Sequence, residues 1–428
     1  MRKAIQDLPG SMIRAVANAG LGRSDVLAFW FGESDEVTPE PIRQAAADSL
    51  MRGETFYSHN LGLPELRAAI AGYTSALHGP VASERIAVTS SGVSALMLAM
   101  QMLVDADDEV VAVVPVWPNI TAQPAIMGAS VRRVSLHPRQ GQWQLDLEEL
   151  LAAITERTRV LLVNGPNNPT GWTLTRAEQV ALLEHCRRTG TWIVADEVYE
   201  RLFYGGAVAT SFGADTGGPK LVATSFGANA PKLVAVAPSF LDIAAPEDRL
   251  IVVHSFSKSF LMTGWRLGWL VLPPAAMDAA GKLLEFNTSC APVFAQRGGL
   301  AALAMADSFV PGLVVRMQAC RDRLLTGLQA MPRISVASPP GGMYAFFRVE
   351  GEDDSLALAK RLVADHGLGL APGAAFGLKG ENEGEGWLRW CFASRDPARL
   401  DEGLQVFSKR GMSLERPEIE DAKRVDPL

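Results

Sequence analysis

Lys258 stands in the run Ser255-Phe256-Ser257-Lys258-Ser259, and Arg266 follows a few residues later. An amine held in a small-residue loop has one outstanding use, the formation of a Schiff base with a carbonyl compound. The serine hydroxyls and the nearby guanidinium would suit a phosphate on that compound. Apolar Leu250 to Val253 and Leu267 to Val271 flank the loop and read as buried strands. The other reading is a solvated lysine on a turn, the usual fate of lysine. The elements that surround the loop and the polar residues that they present decide between the two.

Those elements alternate. Helical patterns run from about Pro41 to Met51 and from Glu65 to Tyr73. Then come a strand at Ile86–Thr89, a helix from Val93 to Leu103, and strands at Glu109–Val114 and Val131–Leu136. A helix near Leu147–Ile154, a strand at Val160–Val163, a helix at Arg176–Thr189 and a strand at Trp192–Ala195 follow. Such alternation predicts an α/β fold with a mostly parallel sheet covered by helices on both faces. Ligands of such sheets lie at the carboxyl ends of the strands, so the loops after Thr89, Val114, Val163, Ala195 and Val253 are where a site belongs. Beyond Ala291 a helix-rich stretch, Gln296 to Met331, leads to strands near Ile334–Val336, Ala345–Arg348 and Leu388–Phe392, which predict a smaller α+β domain. The expected division is an N-terminal arm and small-domain segment (1–45), a large domain (46–295), a small C-terminal domain (296–410) and a tail (411–428). Residues 207–237 look like a local duplication, since Val208 to Ala214 recurs as Val222 to Ala228. Loops tolerate such insertions, and a surface excursion or flap is expected there.

The whole chain has 428 residues, 48% hydrophobic and 20% charged, with a formal charge of −7. That length and mixture allow a sizeable buried core, and the acidic balance without a basic block argues against nucleic-acid binding. Cys186, Cys290, Cys320 and Cys391 are widely spaced, so neither a disulfide framework nor a metal site is suggested. No signal-peptide pattern opens the chain and no apolar run reaches about 18 residues, so a cytoplasmic protein without a membrane span is expected.

Each searched loop carries residues that match one part of pyridoxal phosphate. Asp196, in Asp196-Glu197-Val198-Tyr199, would keep a pyridine nitrogen protonated, or would simply cap a helix. Ser91-Gly92-Val93 opens a helix whose amides and dipole would face a phosphate. Asn168, in Asn164-Gly165-Pro166-Asn167-Asn168-Pro169-Thr170-Gly171, lies in a segment richer in asparagine and proline than a turn requires. Trp117 offers a flat face for ring stacking, with core packing as its alternative. Arg389 would bind a carboxylate bidentately or enter a structural ion pair.

In this order, with Tyr57 and Gly62 ahead of them, these motifs resemble the class I/II aminotransferases of the aspartate aminotransferase superfamily, pyridoxal-phosphate enzymes of fold type I. The resemblance covers roughly residues 25–410. It implies transfer of an amino group between an L-amino acid and a 2-oxo acid. Lys258 would carry the Schiff base and move the proton between substrate and cofactor. Asp196 would pair with the ring nitrogen, Asn168 and Tyr199 would bond the ring hydroxyl, and Trp117 would stack on the ring. Ser255, Arg266 and the amides of Ser91, Gly92 and Val93 would hold the phosphate, with Tyr57 reaching across from a neighbouring subunit of a homodimer with shared active sites. Arg389 would clamp the substrate α-carboxylate, beneath a segment near Gly32 that closes over it. Burial and the adjacent Arg266 are expected to lower the pKa of Lys258.

Departures from the family pattern cluster where the substrate side chain would lie. They include Phe31-Gly32-Glu33-Ser34-Asp35-Glu36, Val93 and Cys290. The one candidate for a second, side-chain-binding arginine is Arg297. Trp30, Phe31 and Trp117 would line an apolar pocket, which suits a neutral or aromatic side chain at least as well as a dicarboxylate. Glutamate or alanine with a 2-oxo acid is the default pair. Within the same fold a β-elimination lyase or a cyclopropane-forming synthase is the rival activity. A ligand-sensing regulator with a DNA-binding domain in front is disfavoured, since only about 30 residues precede the resemblance and they are not strongly basic.

Overall fold

The computed structural model describes residues 1–205, 220–224, 232–377 and 383–408. Its largest feature is an eight-stranded sheet in the order Ile86–Thr89, Gly268–Val271, Leu250–Ser255, Trp192–Asp196, Thr158–Asn164, Glu109–Val114, Ser130–Arg139 and Gln142–Leu145. Gly268–Val271 runs antiparallel to both neighbours and the edge strand Gln142–Leu145 antiparallel to its one neighbour. The remaining pairings are parallel.

Continuous apolar runs form these strands because both faces are buried. Along Glu109–Val114 the side chains of Val111 and Val113 enter one core, and those of Val110, Ala112 and Val114 enter the other. Leu161 and Val163 against Val160 and Leu162 repeat the division, as does Val252 against Ile251 and Val253. Each valine, leucine and isoleucine among them contributes about 1.5–3 kcal/mol by leaving water. The helices begin and end where the side chains direct. Arg176–Thr189 opens with a capping box between Thr175 and Glu178 and closes at Gly190, whose φ of 75° favours glycine.

A second sheet, Ile334–Val336, Tyr344–Val349, Glu383–Cys391 and Ala371–Pro372, is antiparallel throughout. The N-terminal segment joins it from the side. Leu27–Ala28 pairs in parallel with Leu368–Gly369, and the helix Met12–Ala19 packs on the helix Ser355–His366. The expected Gln296–Met331 stretch is two helices, Val293–Ala304 and Ala306–Gln329, bent by 78° at Met305. Sequence reasoning passed over the helices Pro118–Met127 and Met277–Asn287 and the strand Gln142–Leu145. Of the duplicated segment, Lys220–Thr224 and Lys232–Val236 form an antiparallel pair. Residues 207–219 and 225–231 of that segment, and the tail, lie outside the described residues.

Candidate active site

A cavity of about 560 Å³ opens at the carboxyl ends of the parallel strands. Every loop singled out by strand order contributes to its wall. Gly92 and Val93 follow Ile86–Thr89, Trp117 to Asn119 follow Glu109–Val114, and Asn164 and Asn168 close Thr158–Asn164. Asp196, Val198 and Tyr199 end the next strand, and Ser255, Ser257 and Lys258 end the one beyond. Arg389 and Tyr344 enter from the smaller sheet, and Phe31 to Glu33 from the N-terminal segment.

Tight backbone contact shapes one end. A Cβ on Gly268 would lie 2.7 Å from the amide nitrogen of Gly92, so these two turns meet only because the side chain is missing. Ser91 caps the helix Gly92–Leu103, its hydroxyl accepting from the Ser94 amide at 3.0 Å, and stands behind the wall. The Ser255 hydroxyl donates to Ser257 at 2.9 Å, and Arg266 donates to the Thr263 carbonyl at 2.7 Å. Hydroxyls, an arginine and a helix N-terminus therefore face one another at this end.

At the centre the Lys258 amine donates to the Gly32 carbonyl at 2.6 Å and lies 5.5 Å from the centre of the Tyr199 ring. Burial brings its pKa down to about 8. The cation that assists is Arg389; Arg266, expected in that role, lies at the hydroxyl-lined end and donates to the Thr263 carbonyl. The Asp196 carboxylate is buried, accepts from the Val198 amide at 3.4 Å, and is pushed up to about 7 by loss of water. A carboxylate so placed calls for a cationic or N–H partner from a ligand.

Arg389 is almost fully buried. Its Nη1 donates to Asn168 Oδ1 at 3.0 Å and its Nη2 to the Trp30 carbonyl, while Nε has no hydrogen-bond partner among the described residues. The guanidinium stacks 4.4 Å from the Tyr344 ring centre, and the Tyr344 and Tyr199 hydroxyls are 2.7 Å apart. Tyr344 was missed by sequence reasoning, as were Asn164, Thr263 and Arg14. The only local signal for Tyr344 is the Gly341-Gly342-Met343 lead into its strand.

Other expectations fall elsewhere. Trp30 is packed in the core against Gly20 and Gly369 and presents only its carbonyl, so it does not line an apolar pocket. Arg297 is engaged by Glu54 at 2.9 Å and Glu65 at 2.7 Å, outside the cavity. Cys290 is also outside the wall, and Tyr57 is 88% exposed on the surface. A planar phosphorylated pyridine aldehyde fits the residues present: an amine for its carbonyl, an unrelieved carboxylate for its ring nitrogen, and a glycine-walled, hydroxyl-lined end for its phosphate.

Comparison with known proteins agrees with that fit. Residues 25–407 match the family described as aminotransferase class I and II. An aspartate aminotransferase of Thermotoga maritima is 30% identical over 383 residues, 89% of this chain and 90% of its own. An arginine–pyruvate transaminase of Pseudomonas aeruginosa is 32% identical over 369 residues, 85% of each chain. The structure of the Thermus thermophilus aspartate aminotransferase with maleate is similar at a TM-score of 0.81 and 28% identity, covering 96% of this chain and 99% of that one.

Proposed function

The chain belongs to the class I and II aminotransferases, and on that premise we propose that Lys258, Asp196 and Arg389 divide the work of amino-group transfer among them. It is an aminotransferase of fold type I, and pyridoxal 5'-phosphate is its cofactor. When bound, the cofactor supplies a conjugated electron sink for the substrate Cα, which no side chain can provide.

The residues do the rest. The Lys258 amine would hold the cofactor by its aldehyde carbon and, when free, would move a proton at the substrate Cα. A pKa near 8 leaves part of that amine neutral at pH 7, which a base requires. Asp196 would face the ring nitrogen, where a cation would relieve its burial penalty. Asn168 and Tyr199 would bond the ring hydroxyl, and Trp117 would cover a ring face. Ser255, Arg266 and the backbone amides of Ser91, Gly92 and Val93 would hold the phosphate. Arg389, aligned by Asn168 and by the Trp30 carbonyl, would receive the α-carboxylate, and the carbonyl of Gly32 meets the Lys258 amine. A Cβ on Gly32 would collide with the Tyr344 hydroxyl, so glycine keeps this passage open.

The convergence of an amine, a buried carboxylate and a buried guanidinium on one cavity carries the reading. Adding an amino acid to the holoenzyme should change the cofactor's absorbance with release of the 2-oxo acid. Lys258→Ala should lose both the visible absorbance of the joined cofactor and turnover, and retention of either would overturn the role of Lys258.

The division at residues 46–295 and 296–410, a cytoplasmic location and a homodimer belong to the same reading. Met51, Phe56, Tyr57 and Phe286 are each more than 80% exposed, an apolar surface that a second copy would cover. Tyr57 would then reach the partner's phosphate end. The relatives' names span aspartate, arginine and valine as substrates, so family membership leaves the side chain open.

A further inference from the structure

We propose that Arg14 is a specificity-determining residue that binds a second carboxylate, on the side chain of a dicarboxylic amino acid or its 2-oxo acid. The proposal rests on the transaminase reading above.

The cations of the cavity are not equally engaged. Lys258 is held by the Gly32 carbonyl, Arg266 by the Thr263 carbonyl, and Arg389 by Asn168 and Trp30. Arg14 lines the same cavity, yet among the described residues its guanidinium has neither a hydrogen bond nor an ion pair. Its Cζ lies 4.8 Å from the centre of the Phe31 ring. Such a contact fixes the plane of a guanidinium and leaves its N–H edge available for a carboxylate. Phe31 directly precedes Gly32, whose carbonyl touches the Lys258 amine. Arg14 and the Lys258 amine thus engage consecutive residues, Phe31 and Gly32, of the segment that enters the cavity.

The backbone that carries Arg14 is firmly placed. Met12–Ala19 is capped by Ser11, whose hydroxyl accepts from the Arg14 amide at 3.2 Å, and it buries Ile13, Val16 and Ala17. The acids of the cavity do not neutralise Arg14. Asp196 is buried at the base, and Glu33 accepts from the Thr263 hydroxyl at 3.1 Å. The role assigned from sequence to Arg297 thus passes to an arginine on the first long helix.

The test compares wild type, Arg14→Met and Arg14→Lys as holoenzymes. Calorimetry gives the Kd of succinate and of propionate, and kinetics give kcat/KM for 2-oxoglutarate, pyruvate and phenylpyruvate as acceptors. In Arg14→Met the preference for succinate over propionate, and for 2-oxoglutarate over pyruvate, should fall about 10- to 100-fold, the scale of one lost charge-assisted pair. Arg14→Lys should fall between. Unmoved ratios, an equal decline with every acceptor, or a decline with phenylpyruvate alone would overturn the role of Arg14. A wild-type holoenzyme whose cofactor absorbance responds to no amino acid would overturn the transaminase reading itself.

Discussion

Asp196 shows how one residue can oppose folding and serve function. Burial raises its pKa from an ordinary 3.8 to about 7, so the folded chain holds a proton that the unfolded chain releases. Its contribution to stability is present below pH 3.8 and is lost as pH rises through 7. The cofactor-free protein at pH 8 therefore carries a buried charge that the Val198 amide and Lys258 compensate only in part, and which the cofactor's ring nitrogen would offset. Asp196→Asn should raise the thermal midpoint of the cofactor-free protein at pH 8 by about 2 °C or more while weakening retention of the cofactor. Calorimetry of both forms across pH 4 to 8 checks this, and a variant that loses stability without cofactor at pH 8 would contradict it. The acid was legible in the sequence because it ends an apolar run. Its titration was not, because desolvation depends on everything packed around it.

Among the elements, the end of the helix Pro64–Leu77 is joined to the strand ends by charge. His78 Nε2 lies 2.9 Å from Glu200 and Nδ1 lies 3.3 Å from Asp242, all within the protein. Burial alone would lower the imidazole's pKa, but the two carboxylates lift it from 6.5 to about 10. That stabilisation is fully present below pH 6.5 and fades as pH rises through 10. Removing one partner of a buried ion pair costs roughly 3–5 kcal/mol. His78→Gln should therefore destabilise the fold by about that amount at pH 6, and the gap from wild type should narrow above pH 10. Urea unfolding at the two pH values measures it. The strands and helices of the large sheet were readable from local periodicity, and several bounds, such as those of Arg176–Thr189, coincide with the expectation. The helix Pro118–Met127 was not, because it carries a proline within it and lacks an amphipathic stripe.

For the whole molecule, the proposed shared site makes a prediction that no single-chain arrangement allows. Tyr57 is exposed and apart from the cavity wall of its own chain. Tyr57→Ala should weaken cofactor binding, and Lys258→Ala should abolish turnover. Exchanging subunits between the two variants should regenerate sites with both residues intact, so activity at limiting cofactor should exceed that of either parent. A mixture no better than Tyr57→Ala alone would place Tyr57 outside the partner's site.

The sequence by itself determined the cofactor chemistry. Lys258, Asp196 and Asn168 sit at strand ends, and strand ends are marked by runs of adjacent apolar residues that need no distant information. Tertiary structure decided what shares the cavity with them. Tyr344 and Arg389 arrive from a separate sheet, Arg14 and Phe31 from the opposite end of the chain, and Arg297 is withdrawn by Glu54 and Glu65. Periodicity reports which face of an element is buried, whereas the company a side chain keeps is fixed by long-range packing. For that reason the proton-transfer lysine was legible once its loop was read with the motifs at the neighbouring strand ends, while the arginine proposed to select the substrate emerged only with the fold.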